Sequence, residues 1–156
     1  MDFTMDDVER EIRRLVQENP DFVYGQQEEI QAIQSSGTCS YMAGITKDDF
    51  DYAKDQGLIQ TATYEDALEA GELGKACLIG QALHNLGVDR STLESYEELG
   101  ADYVINSMEI PVGSIQNPEV FVEWVETVQR GQDSNMPWAT SLANADEKYG
   151  SRIIRA

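Results

Sequence analysis

The stretch "GKACLIGQALHNLGV", Gly74 to Val88, holds one of the two cysteines and the only histidine of the chain. On a helical wheel of residues 75–87, Leu78, Ile79, Ala82, Leu83 and Leu86 form one broad apolar face. The other side carries Ala76, Gly80 and Gly87, with Cys77 and His84 flanking. A helix from about Lys75 to Leu86, ended by Gly87, follows from this pattern. Mid-helix glycine is less favourable than alanine by roughly 1 kcal/mol, a deficit that the close approach of another backbone offsets. The helix should therefore be the hub of the fold, with large residues toward the main core and small ones beneath a second element.

The same geometry limits the chemistry of the pair. Cys77 and His84 are seven residues apart, about 10.5 Å along a helix axis. A nucleophile and its base need about 3 Å, and metal-ligand bonds are only about 2.0–2.3 Å. Any catalytic partner must come from elsewhere, leaving Cys77 or Cys39 as nucleophile with His84 or Asp133 in support. Cys77 sits beside Lys75 at a helix start, where thiolates are favoured. The competing reading is a cysteine packed like a small hydrophobe, with a histidine satisfied by ordinary hydrogen bonds. Cys39, Cys77 and His84 lack CxxC or HxxxH spacing, so neither a metal nor a cofactor is expected.

Outward from this helix, Met5, Val8, Ile12, Leu15 and Val16 recur at helical spacing, and Asn19-Pro20 ends the run. "DFVY" (21–24) and "TCSYM" (38–42) read as short strands, and 25–37 as a loop with some helix. Thr46 and Thr63 can cap short helices that close at Gly57 and Gly71. Ser91 and Glu94 have capping-box spacing for "TLESYEEL". "ADYVINSMEI" (101–110) reads as strand. Val120, Phe121, Trp124, Val125 and Val128 give an amphipathic helix ended at Gly131, and Asn135 with Pro137 starts another. The sum is one mainly helical α+β domain with a small sheet, spanning 1–156.

Charge restricts the function classes. The chain has 29 acids against 11 Lys and Arg, a formal −18, with −11 in residues 1–70 and −7 beyond. Such a field repels phosphate backbones, excluding direct nucleic-acid binding, and favours encounter with basic partners. Simple solubility and halophily are the other readings of the same charge. No apolar run approaches the roughly 18 residues of a membrane span. The acidic N-terminus is unlike a signal peptide, so a cytoplasmic protein with reduced thiols is expected.

Motifs for specific chemistry fail on particular residues. A phosphate loop ending at Gly74-Lys75 would need glycine at 69 and Ser or Thr at 76, where Glu69 and Ala76 stand. A helix-turn-helix over 75–99 would place three glutamates on its recognition helix. Asp48, Asp49 and Asp51 lack the glycine and distal glutamate of a calcium loop and read as a solvated helix face, as do Glu65, Asp66 and Glu69. "SRIIRA" is a locally basic end, either a docked terminal strand or a partner-binding tail using Arg152 and Arg155.

"DFVY", Cys39 with Tyr41, "ACLIGQALHNLGV" and "VQRGQDSNMPWATSLANA" occur in that order. The chain thereby resembles a group of small proteins of actinobacteria and their bacteriophages, with the likeness concentrated in 76–88 and 129–143. The resemblance implies no activity. It marks Gln129, Gln132, Asp133 and Trp138 as a polar cluster beside the hub helix and as candidate binding residues. The functional expectation is a non-enzymatic phage- or mobile-element-type accessory protein that binds another protein, as an inhibitor or DNA mimic in its narrower form. A small cysteine-dependent enzyme or ligand-binding domain, and a self-associating virion or assembly component, are the alternatives.

Overall fold

A computed structural model describes residues 2–24, 40–97 and 99–156. Eight α-helices occur among them: α1 (Met5–Glu18), α2 (Lys47–Asp55), α3 (Tyr64–Glu69), α4 (Leu78–Asn85), α5 (Arg90–Ser95), α6 (Ala101–Ser107), α7 (Pro118–Asp133) and α8 (Trp138–Lys148). A 3₁₀ turn, Gly150–Arg152, follows. Helix makes up 58% and strand 1% of the described residues, which form no sheet. The expected α+β fold with a small sheet is therefore corrected to a mainly helical one without a sheet among the described residues. Only an isolated bridge between Ile115 and Arg155 has β pairing among the described residues.

Each expected strand has been put to another use. In "DFVY", the Phe22 carbonyl accepts from Trp138 N at 2.9 Å, and the Pro20 carbonyl accepts from Ala139 N at 2.9 Å. These carbonyls satisfy the first amides of α8, which has no side-chain cap of its own. Of "TCSYM", Ser40 is irregular and residues 41–42 form bends, while Thr38, Cys39 and the segment read as 25–37 lie outside the described residues. The 101–110 segment is helical over Ala101–Ser107, burying Ala101, Val104 and Ile105 at helical spacing. The C-terminus docks along 114–117 through Gln116 N to Ile154 O at 2.8 Å and Ala156 N to Ser114 O at 2.7 Å.

Two buried clusters organise the chain. The larger is built from α1, α4, α6, α7 and α8 around Trp124, Trp138, Phe121 and Ile12. In α1, Met5, Val8, Ile12, Leu15 and Val16 are all buried, and Thr4 with Asp7 forms a capping box. The second cluster lies in 43–73, where Ile45, Phe50, Ala53, Tyr64, Ala67 and Leu73 pack together. Phe50 and Tyr64 meet edge to face with ring centroids 5.6 Å apart. Met42 packs against both clusters.

Helix α4 occupies the hub position, starting three residues later than expected, with Cys77 as its N-cap. Leu78, Ile79, Ala82 and Leu83 face the main core. An added Cβ at Gly80 would stand 2.3 Å from the Tyr41 carbonyl oxygen, so the element across the small face is the 40–43 backbone. Cys77 N donates to Ser40 O at 2.9 Å along this contact. Gly131 does not end α7, which continues to Asp133. A Cβ there would meet Ser141 of α8 within 2.6 Å, so this glycine permits close helix packing. The expected Ser91–Glu94 capping box is replaced by Asp89, whose carboxylate accepts from Thr92 N at 2.8 Å.

Candidate functional site

Gln129 and Gln132 do meet the hub helix, but from inside. Both are buried on α7. Gln132 Oε1 accepts from Leu78 N at 2.7 Å and from Trp138 Nε1 at 3.2 Å. Gln129 Oε1 accepts from Ala101 N at 2.6 Å, while its Nε2 donates to the Tyr41 hydroxyl at 3.1 Å. Helices α4 and α6 have no side-chain cap at their own N-cap residues. The two glutamines, one turn apart on α7, supply those missing caps across the fold. Trp138 is itself fully buried. Gln129, Gln132 and Trp138 thus hold the core together and offer no surface to a partner.

Cys77 is disulfide-bonded, which corrects the expectation of a reduced thiol. A disulfide sulfur is not a thiolate, so Cys77 is not an activated nucleophile in this state. Cys39, the chain's other cysteine, lies outside the described residues. His84 is exposed, with Nδ1 3.2 Å from Val88 O. Asp133 lies at the rim of the glutamine cluster: the residue is exposed, yet its carboxyl takes Gln132 Nε2 at 3.4 Å and faces the protein. Desolvation pushes its pKa up to about 6.

At the C-terminus, Arg155 pairs with Glu9 and, at 3.6 Å, with Asp6 of α1, and Arg152 lies 5.5 Å from the Tyr149 ring. Asp6 also accepts from Ser114 N at 2.6 Å, the main reason its pKa is lowered. This end is therefore docked on the body, with Ile154 left exposed. A second polar clamp joins α1, α7 and α8. Asp146 accepts both Arg13 NH groups at 2.8 and 2.9 Å and Trp124 Nε1 at 2.9 Å. Among the described residues, no group of three His, Cys, Asp or Glu is placed to share a metal ion, and no helix is long and apolar enough to cross a membrane.

The 43–73 lobe presents a further candidate surface. It carries eight acids and two lysines, a formal −6. Asp48, Asp51, Asp55, Glu65, Asp66, Glu69 and Glu72 are exposed. Both lysines are engaged: Lys54 Nζ donates to Thr61 O at 3.0 Å, and Lys47 reaches Glu94 at 4.0 Å. Tyr52 and Leu58 are 56% and 53% exposed, among the largest apolar side chains in solvent. Asp48, Tyr52 and Asp55 stand at i, i+4 and i+7, sharing one face of α2. The sequence marked the acids as solvated faces but gave no sign that Tyr52 would be excluded from the lobe's core. That exclusion follows from the core pairing of Phe50 with Tyr64 on the opposite face. No family model, curated protein or solved structure matches the chain.

Proposed function

We propose that this chain is a non-enzymatic accessory protein, of the kind carried by phages and mobile elements, that binds a protein partner through the 43–73 lobe. One observation carries the reading. The lobe combines a formal −6 with exposed Tyr52 and Leu58, while its two lysines are tied down. Charge of one sign steers encounter and selects partners, whereas a large apolar side chain supplies contact area at the centre of an interface. The matching partner is a protein segment rich in Lys and Arg with an apolar side chain to set against Tyr52. The nine residues of α2 span only about 13 Å. So short an acidic row supports recognition of a basic segment better than mimicry of a DNA duplex.

The test is affinity capture from host lysate with wild-type protein and an Asp48→Asn/Asp51→Asn/Tyr52→Ser/Asp55→Asn variant, at low and high salt. These four side chains are exposed, so circular dichroism should show an unchanged fold. The expected result is one stoichiometric partner held by the wild type at low salt. It should be released near 1 M salt, where screening acts within about 3 Å, and absent with the variant. A partner retained equally by the variant, or no partner at either salt, overturns the proposal.

A further inference from the structure

We infer that the cavity over the small-residue face of α4 is a binding site for a small hydroxylated carboxylate. This inference is independent of the lobe's partner. The cavity, about 200 Å³, lies between α4, α5 and the Tyr41–Met42 backbone, and Gly80 forms part of its wall. At about 30 Å³ per water it holds the volume of six or seven waters, enough for a carbon skeleton of a few atoms.

Its charge runs against the rest of the molecule. Among the described residues no carboxylate lines it, although the chain has 29 acids. Six other bases, Arg10, Arg13, Arg14, Lys47, Arg130 and Arg155, are in ion pairs. The Arg90 side chain, on the cavity wall, makes no ion pair or hydrogen bond among the described residues, and its planar fork suits a carboxylate. Lys75 also lines the cavity, 3.2 Å from Asn19 Oδ1 and 5.3 Å from the Phe22 ring.

The remaining polar groups keep open hydrogen-bonding capacity. Gln81 Nε2 donates to Ala76 O at 2.7 Å, and Asn85 Nδ2 donates to Glu11 at 3.0 Å. His84 Nδ1 lies 3.2 Å from Val88 O. Gln81 Oε1 and Asn85 Oδ1 are left as acceptors, one turn apart on α4, and each amide keeps a second N–H. A hydroxyl, which both donates and accepts, suits these amides, so the fitting ligand presents a carboxylate to Arg90 and a hydroxyl to α4, with carbons against Met42 and Leu93. Inorganic phosphate would use the Arg90 charge but has no carbons to set against Met42 and Leu93. An amine would satisfy the acceptors but meet the Arg90 charge.

The experiment is a ¹H–¹⁵N titration of the whole chain with L-malate, succinate and inorganic phosphate at constant ionic strength. Saturable shifts centred on residues 75–93 are expected, with malate bound about tenfold more tightly than succinate, which lacks the hydroxyl. Arg90→Gln should weaken malate by at least about tenfold while leaving the melting temperature unchanged. Absence of saturable shifts with malate, phosphate binding as tightly as malate, or unaltered malate binding by Arg90→Gln overturns the site. Equal affinity for malate and succinate overturns its assignment to hydroxylated ligands.

Discussion

Replacing Gly80 by alanine sets two physical effects of opposite sign against each other. Helix propensity alone favours alanine by roughly 1 kcal/mol. The contact opposes it: the new Cβ would lie 2.3, 2.6 and 2.7 Å from the Tyr41 carbonyl oxygen, Cα and carbonyl carbon. All three are backbone atoms, so no rotamer change relieves the overlap, and ordinary carbon contacts begin near 3.5 Å. Tyr41 is also fixed at both ends. Its hydroxyl donates to Leu99 O at 2.5 Å, and its amide donates to Glu97 Oε1 at 3.1 Å. A shift of about 1 Å would disturb those bonds and the Gln129 contact together. Overpacking typically costs about 1–3 kcal/mol, more where the neighbour is rigid. A net loss of about 2 kcal/mol is expected after the propensity gain. Urea unfolding followed by tryptophan fluorescence should show the midpoint falling by about 1 M at unchanged slope. A midpoint equal to or above wild type would refute the account of α4 as a helix packed on both faces.

Further expectations concern the polar groups. Gln132→Ala removes the acceptor shared by Leu78 N and Trp138 Nε1, and should lower stability by about 2–4 kcal/mol in chemical unfolding. Asp133→Asn should raise stability at pH 7 by about 1 kcal/mol, once the rim position is discounted for solvent screening. The wild-type pKa is raised to about 6, so ionisation opposes folding above that pH. The advantage of the variant should shrink as pH falls from 6 toward 4. Asp146→Asn should show the opposite trend, because hydrogen bonds from Arg13 hold this carboxyl below its ordinary value. Its stabilisation is full above pH 4 and lost as pH falls through the depressed pKa. A loss of about 1 kcal/mol at pH 7, discounted for partial exposure, should therefore disappear in acid unfolding scans.

The distribution of helix caps explains which parts of the fold the sequence displayed. Helices α1, α2 and α3 have local caps at Thr4, Thr46 and Thr63, and α1 buries all five residues that its periodicity marked. Gly80 was legible for a related reason, since a mid-helix glycine predicts a close backbone. Helices α6 and α8 start differently. Ala101 N is satisfied by Gln129, 28 residues away, and the α8 amides by carbonyls of Pro20 and Phe22. No local signal records such partners, so 101–110 and "DFVY" read as strands from their β-branched and aromatic content. The candidate cluster was placed correctly beside the hub, but its task was not. A glutamine's preference for an exposed surface gave no hint that Gln129 and Gln132 would be buried as caps. The acidic lobe was visible as charge alone, because exposure of Tyr52 and Leu58 depends on how α2 and α3 close over Phe50.

Hydrogen exchange of the captured complex against the free chain tests the central claim most directly. The account predicts added protection across Lys47–Leu58 and Tyr64–Glu69, with α7 and α8 unchanged. Protection confined to α7, α8 or the Arg152–Arg155 end, with the lobe exchanging as in the free chain, would contradict it.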